Sequence, residues 1–516
     1  MDTRRNGNLT LSEALEEAFE RFSNSIAIQF GVDCFSYGDL NRASGELARR
    51  LISRGLECGD RVAIRLSKGM AMVLLYLGCL RSGIIPLPIN PAYTEDELRY
   101  FLSDSGARLL IAEEGTQPLI EPVQRAVSSV KQVMYVDPSG RRWAERGVAV
   151  EPFVSPFAAQ PDDGAIMFYT SGTTGPPKGC IMSQKSCVIN LQRIIEAWGI
   201  TREDRLMHVL PLNHGHGLFV ALTGCLLAGC FILMKDAFDA EEVLKKIDEY
   251  QLSLFMGVPT HYHRFLKVGG ASRFSLSSMR LFISGSASLP EEVFKAFEQR
   301  FGHTILERYG MTEIGIHLTN PLNGRRLAGK VGLPLPGTEA RIADISTGQI
   351  LGQNQAGELE VRGPNVFSGY WRKPEETEKN FTDNGWFKTG DLAKVDENGY
   401  FSVVGRVKDL IISGGLNISP QEVEKALNTH RSVLESAVIG VPDSDFGERV
   451  VAYIVLKERC EHPSLKEIQD KCREHLASYK KPKEIYVVDQ LPRNTLGKVL
   501  KKELRADYAR KSRFGM

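Results

Sequence analysis

Between Tyr169 and Gly179 the chain reads Tyr-Thr-Ser-Gly-Thr-Thr-Gly-Pro-Pro-Lys-Gly, and these residue types suit a phosphate-binding loop. Gly172 and Gly175 let backbone N–H groups turn inward. Thr170, Ser171, Thr173 and Thr174 add hydroxyl donors, and Lys178 adds a positive charge. The apolar run 165–168 ahead of the loop reads as a short buried strand. The spacing is not that of a P-loop NTPase, which needs Gly, four residues, Gly-Lys and then Ser or Thr. Here the lysine falls three residues past the second glycine, and Gly179 stands where the metal-binding hydroxyl would be. A Gly/Ser/Thr cluster ordinarily makes a polar surface turn, so the loop alone does not define a nucleotide site.

Two His-x-His pairs, His214/His216 and His261/His263, raise the question of zinc, because alternate residues of a strand share a face. No third ligand with metal spacing follows either pair, so neither is read as a zinc site. Taken singly, Glu313 is a carboxylate at a helix start, Lys408 a linker lysine, and Lys498 one more solvated lysine beside Lys501 and Lys502.

The elements that must position these groups are legible as a rhythm. Thr10 and Glu13 form a capping-box pattern, and Leu11, Ala14, Leu15, Phe19 and Phe22 recur at helical spacing. Short apolar runs at 61–66, 83–90, 107–113 and 132–137 alternate with helix-length segments, which predicts parallel strands with crossovers. The same rhythm resumes from 205 to 309. The stretch 329–404 has short runs broken by Gly, Pro and Asn and predicts a β-rich subdomain. A fresh start follows Gly405, where Ser419, Pro420 and Glu422 occupy helix N-cap, first-turn and capping-box positions. The fold class is therefore α/β: a large N-terminal domain, 1–405, with two α/β layered subdomains and a β-rich one, and a small mobile α+β domain, 406–516.

Composition narrows the function. With 64 basic and 63 acidic residues there is no overall field for nucleic acid or an anionic membrane. Nine cysteines, several within apolar runs as at Cys79, Cys225 and Cys230, read as free thiols of a reducing compartment, and the start of the chain has no signal core, so a cytoplasmic location is expected. The stretch 217–234 has no charged residue before Lys235, but its glycines favour a buried helix and strand over a membrane span.

Taken together, the motifs resemble those of the adenylate-forming superfamily, which includes acyl-CoA synthetases, luciferases and peptide-synthetase adenylation domains. The 169–179 loop resembles its phosphate loop, and six further segments match in the family's order along nearly the whole chain. In Tyr309-Gly-Met-Thr-Glu313 the resemblance implies that Tyr309 stacks on adenine, Thr312 reaches phosphate and Glu313 holds Mg²⁺, a cation that takes hard oxygen ligands. Asp391, in Thr-Gly-Asp, would accept both ribose hydroxyls, and Arg406 would add a second ribose contact. Lys408 takes the position of the interdomain hinge. Lys498, in Pro492-Arg-Asn-Thr-Leu-Gly-Lys498, would be the mobile catalytic lysine, with Lys178 as the phosphate-loop lysine. Gly414 and Gly415 lie where the pantetheine arm of coenzyme A enters. The implied substrates and cofactors are ATP, Mg²⁺ and CoA.

Within this superfamily the segments 213–220, 258–264, 282–286, 307–313 and 326–336 are most similar to the malonyl-CoA synthetases. The resemblance implies an acid pocket of His214, Gly215, Arg264, Ser286, Ala287, Arg308 and Met311. Ser286 and Arg308 would make it short and cationic. The expected activity is ATP-dependent ligation of a short dicarboxylate, malonate first, to CoA through an acyl-adenylate. Oxalate, methylmalonate or another short acid, and a carrier-protein phosphopantetheine as acceptor, are the alternatives within the class. A non-catalytic nucleotide-binding regulator is the alternative outside it, disfavoured because Lys178, Glu313, Asp391 and Lys498 are all present.

Overall fold

Thr10 opens the first helix, Leu11–Arg21, with both halves of the capping box formed, and the helix buries Leu11, Ala14, Leu15, Ala18 and Phe19. The computed structural model describes residues 9–139, 155, 159–170, 176–414, 416–457, 463–473, 476–493 and 499–513. The chain forms two units, 1–339 with 362–385 and 340–361 with 386–516.

The first unit holds both expected α/β layers. Four parallel strands run in the order Ile85–Pro88, Arg61–Arg65, Leu109–Glu113 and Gln132–Val136. The helix Met70–Arg81 lacks amphipathic patterning, and all its residues are buried. A nine-stranded sheet carries Ile26–Phe30, Phe231–Met234, Arg205–His208, Leu254–Gly257, Leu281–Ser284 and Ile305–Met311 as a parallel centre. The carboxyl ends of Arg205–His208, Leu254–Gly257 and Leu281–Ser284 lead into the segments holding His214, His261 and Ser286, the edge at which open α/β sheets bind ligands.

The strand expected at 165–168 spans Gly164–Thr170 and pairs antiparallel with Lys178–Ser183. Lys178 therefore begins a strand, opposite Thr170, rather than hanging on a loop. The apolar stretch after His214 is a π-helical segment, His216–Thr223, continued by Gly224–Ala228 and the strand Phe231–Met234. It is almost entirely buried, and among the described residues no helix is long and apolar enough to cross a membrane.

The second unit has a four-stranded sheet, Glu339–Ala343, Gly357–Arg362, Phe387–Val395 and Phe401–Arg406, and a five-stranded one built on the long hairpin Val433–Asp443 and Gly447–Leu456. The expected division after residue 405 lies inside this unit. Ser419 and Pro420 do open the helix Pro420–Asn428, but no capping box forms. The Ser419 hydroxyl donates to the Val404 carbonyl at 2.5 Å, and Glu422 pairs with Lys480 instead.

Candidate active site

In the first unit the segment 309–313 sits on a sharply turned hairpin. Ile305–Met311 pairs with Gly315–Thr319 and slips register after Tyr309. A Cβ on Gly310 would stand 2.1 Å from the Gly315 carbonyl oxygen, so the backbone crossing needs glycine there. The turn carries Thr312 and the buried Glu313, whose Oε1 accepts from the Tyr370 hydroxyl at 3.0 Å. The Thr312 carbonyl accepts from the Cys180 thiol at 3.6 Å. Lys178 donates to Glu376 Oε2 at 3.0 Å and stands 4.6 Å from the Tyr370 ring centroid. Thr170, Lys178, Thr312 and Glu313 are thus tied to one framework. Ser171, Gly172, Thr173, Thr174 and Gly175 lie outside the described residues.

In the second unit Asp391 and Arg406 are cross-strand partners, with Arg406 Nε 2.6 Å from Asp391 Oδ1. Gly390 has φ +69°, and its N–H is held by Glu358 at 3.1 Å, which fixes the turn that presents Asp391. Gly414 has φ +57° and donates its N–H to the Phe446 carbonyl. Lys408 is exposed in the short 3₁₀ turn Val407–Asp409. Gly415 and Lys498 lie outside the described residues.

The acid-pocket candidates lie at the carboxyl edge of the nine-stranded sheet. Arg308 is 5 % exposed, and its guanidinium lies over Gly285: a Cβ there would meet Arg308 Cζ at 2.4 Å. Among the described residues it has no ion pair, and Nε and Nη2 are buried without a partner. Burial lowers its pKa to about 10, so the charge persists at neutral pH. Glu307, the neighbour that might have neutralised it, projects to the opposite face of the strand. Its Oε1 accepts from the Leu289 N–H at 2.9 Å, and burial pushes its carboxyl up to about 8.

His216 Nδ1 is 3.1 Å from the Ser286 hydroxyl, and its Nε2 is buried without a partner among the described residues. Burial, and then the Arg308 charge, hold this imidazole neutral well below its ordinary pKa. Burial likewise lowers His214, to about 4. Ser286 adopts φ +70°, a conformation that L residues rarely take and that suggests a functional constraint. Gly215 has room for a side chain: among the described residues the nearest atom to a built Cβ is Phe168 Cε2, in ordinary van der Waals contact at 3.9 Å. Ala287 is exposed and Met311 half-buried on the same two segments. Arg264 is exposed on the helix Pro259–Phe265 and makes no ion pair among the described residues. Its charge acts on His261, which stacks on Phe238 with centroids 4.0 Å apart.

Sequence reading left out His216, Gly285, Tyr370 and Glu376. His216 lies in the segment that resembles the acid-pocket motif but was not itself named as a pocket residue, and no group of three His, Cys, Asp or Glu suited to a metal occurs among the described residues. A metal on Glu313 would accordingly take most of its ligands from substrate phosphate and water, the usual arrangement for Mg²⁺. The buried carboxylate of Glu313 is a hard oxygen donor of the kind that cation takes.

Residues 15–371 match the AMP-binding enzyme family, and residues 422–498 match the AMP-binding enzyme C-terminal domain. The chain is 34% identical to a malonate–CoA ligase of Arabidopsis thaliana, with 96% of this chain and 89% of the relative covered. It is 35% identical to a sulfoacetate–CoA ligase of Cupriavidus necator, with 91% and 92% covered. The ATP-bound crystal structure of MatB from Rhodopseudomonas palustris superposes with a TM-score of 0.90 at 38% identity, covering 97% of this chain and 99% of that one.

Proposed function

The chain belongs to the AMP-binding enzyme family, and on that premise we propose that its acid is a short dicarboxylate, malonate first, whose non-reacting carboxylate is received by Arg308. The enzyme is an AMP-forming acid–CoA ligase: ATP and the acid give an acyl-adenylate and pyrophosphate, and CoA then displaces AMP. The acid assignment is carried by one observation, the buried Arg308 guanidinium whose Nε and Nη2 have no hydrogen-bond partner among the described residues. A desolvated cation needs an anion, and a guanidinium fork matches a carboxylate through two parallel hydrogen bonds.

In this reading the neutral His216, oriented by Ser286, offers Nε2 to the same carboxylate. Ala287 and Met311 border the acid, His214 lies beside the reacting end, and Gly215 leaves room at the methylene. Arg264 is kept only as an outer charge. Tyr309 stacks on adenine, while Asp391, steadied by Arg406, accepts the ribose hydroxyls. Lys178, Thr312 and the hydroxyls and glycines of 170–175 hold the triphosphate. Glu313 would hold Mg²⁺, which when bound neutralises charge on the phosphate oxygens. Lys498 places an ammonium at the α-phosphate as the acid carboxylate attacks, stabilising the charge that gathers there. The domain of 406–516 then presents Gly414 and Gly415 for the thiol, turning at Lys408. A cytoplasmic location belongs to the same proposal; Cys34, Cys58, Cys79, Cys180, Cys187, Cys225 and Cys230 are free thiols.

Sulfoacetate is the second reading, favoured by the similarity to the sulfoacetate–CoA ligase. Its sulfonate would take the carboxylate's place on Arg308. Pyrophosphate release across malonate, methylmalonate, oxalate, sulfoacetate and butyrate, with and without CoA, separates these readings. Malonate is expected to lead, with turnover beyond the first adenylate depending on CoA. A preference for butyrate over every dianion would overturn the proposal.

A further inference from the structure

Tyr370 lies between two groups that the proposed function places at the nucleotide, and it touches both. Its hydroxyl donates to Glu313 Oε1 at 3.0 Å, and the Lys178 ammonium stands 4.6 Å from its ring centroid. The tyrosine is 9 % exposed and Glu313 3 %.

Its position is set by backbone as well as by side chain. Tyr370 bridges antiparallel to Cys180, two residues along the strand from Lys178. The N–H of Trp371 donates to the Gly179 carbonyl at 2.8 Å, and that of Tyr370 to the Thr377 hydroxyl at 2.9 Å. The ring meets Phe367 edge-on at 4.9 Å, and the Phe367 N–H donates to the Glu313 carbonyl at 2.8 Å. One short segment, 367–371, therefore ties together the strand that begins at Lys178 and the hairpin whose turn carries Glu313.

We infer that Tyr370 is a positioning residue for the nucleotide's divalent cation: its hydroxyl fixes the rotamer of Glu313, while its ring separately holds Lys178 in place. A carboxylate that must meet a small cation at fixed geometry loses affinity when its supporting hydrogen bond is removed, usually by 10–100-fold. A cation held over a ring face needs the ring and not the hydroxyl. The two duties can therefore be separated: Tyr370→Phe removes the first and keeps the second, and Tyr370→Leu removes both.

The inference rests on the proposed role of Glu313, so the test carries that variant too. ATP binding to the full-length protein is measured by calorimetry, once in EDTA and once in saturating Mg²⁺, and the ratio of the two dissociation constants is the readout. Binding in EDTA also reports that Tyr370→Phe and Glu313→Gln are folded, and circular dichroism does so for Tyr370→Leu. Tyr370→Phe is expected to bind metal-free ATP within about twofold of the parent and to lose roughly tenfold of the Mg²⁺-dependent strengthening. Tyr370→Leu is expected to weaken metal-free binding as well. In a Glu313→Gln background, Tyr370→Phe should have no further effect on the ratio. If Glu313→Gln abolishes the strengthening while Tyr370→Phe leaves it unchanged, the inference is overturned and the role of Glu313 survives. If Glu313→Gln also leaves it unchanged, both fall.

Discussion

The Arg308 guanidinium rests against Gly285 so closely that a Cβ on the glycine would stand 2.4 Å from both Cζ and Nε. The strand Leu281–Ser284 ends one residue earlier, and Arg308 comes from the adjacent strand, so the contact joins neighbouring strands at the carboxyl edge of the sheet. Gly285→Ala must displace the guanidinium, because the obstructing atoms are those of the buried guanidinium itself. Malonate kcat/KM is expected to fall by about 100-fold, on the scale of a broken charged contact, with the ATP KM within a factor of two. Steady-state kinetics with each substrate varied in turn check this, and a parallel loss on ATP would place the damage elsewhere.

Glu307 makes stability depend on pH. Its carboxyl is held protonated up to about 8, first by burial and then by Glu291, against only the Leu289 N–H. Between the unfolded carboxylate value and 8 the native state binds the extra proton, so stability falls as pH rises through that window. Glu307→Gln should remove this slope, and the two proteins should differ by several kcal/mol, on the order of 3–5, at full ionisation. Denaturant unfolding at pH 6 and pH 9 measures it. Equal slopes for parent and variant would mean that Glu307 ionises freely in the fold.

Gly215 leaves space where a side chain would begin, with no atom of the described residues nearer than 3.9 Å to a built Cβ. Its helical φ of −55° suits any residue, so Gly215→Thr tests volume without backbone strain. Methylmalonate should be accepted by the parent with a modest penalty and rejected by the variant, while malonate is retained. If Gly215→Thr leaves the malonate-to-methylmalonate ratio unchanged, position 215 does not shape the pocket.

The divided roles of Lys498 and the glycines at 414 and 415 predict separable half-reactions. Lys498→Ala should lower pyrophosphate release from malonate and ATP by several orders of magnitude, as expected for a group acting on transition-state charge. CoA thioester formation from supplied malonyl-adenylate should be far less affected. Equal loss in both assays would remove the assignment.

Much of this arrangement is legible in residue order. The alternating runs at 61–66, 83–90 and 107–113 give parallel strands because their faces are covered by helices, and the Thr10–Glu13 pattern makes its cap within four residues. Local signals fail where a distant partner competes. Ser419 has the sequence of a capping-box serine, yet its hydroxyl turns to the Val404 carbonyl, and Glu422 is taken by Lys480. The acid pocket divides the same way. Arg308 was identifiable beside Tyr309, but the need for Gly285 beneath it, and the Tyr370 contact to Glu313, join residues far apart in sequence and leave no local period. Arg264 was read from a helix whose inner face is set by Tyr262 and Phe265, which leaves the arginine outside.

The central claim is that Arg308 receives the carboxylate that does not react, and the most direct measurement compares parent and Arg308→Ala on malonate and on butyrate, a neutral-tailed acid of similar length. Truncation leaves the distal carboxylate desolvated and unpaired, at a cost of roughly 3–5 kcal/mol. Malonate kcat/KM should therefore fall by about two to four orders of magnitude, while butyrate kcat/KM stays within a few-fold of the parent. Equal losses on the two acids would contradict the dicarboxylate assignment and return Arg308 to a structural or nucleotide-binding role.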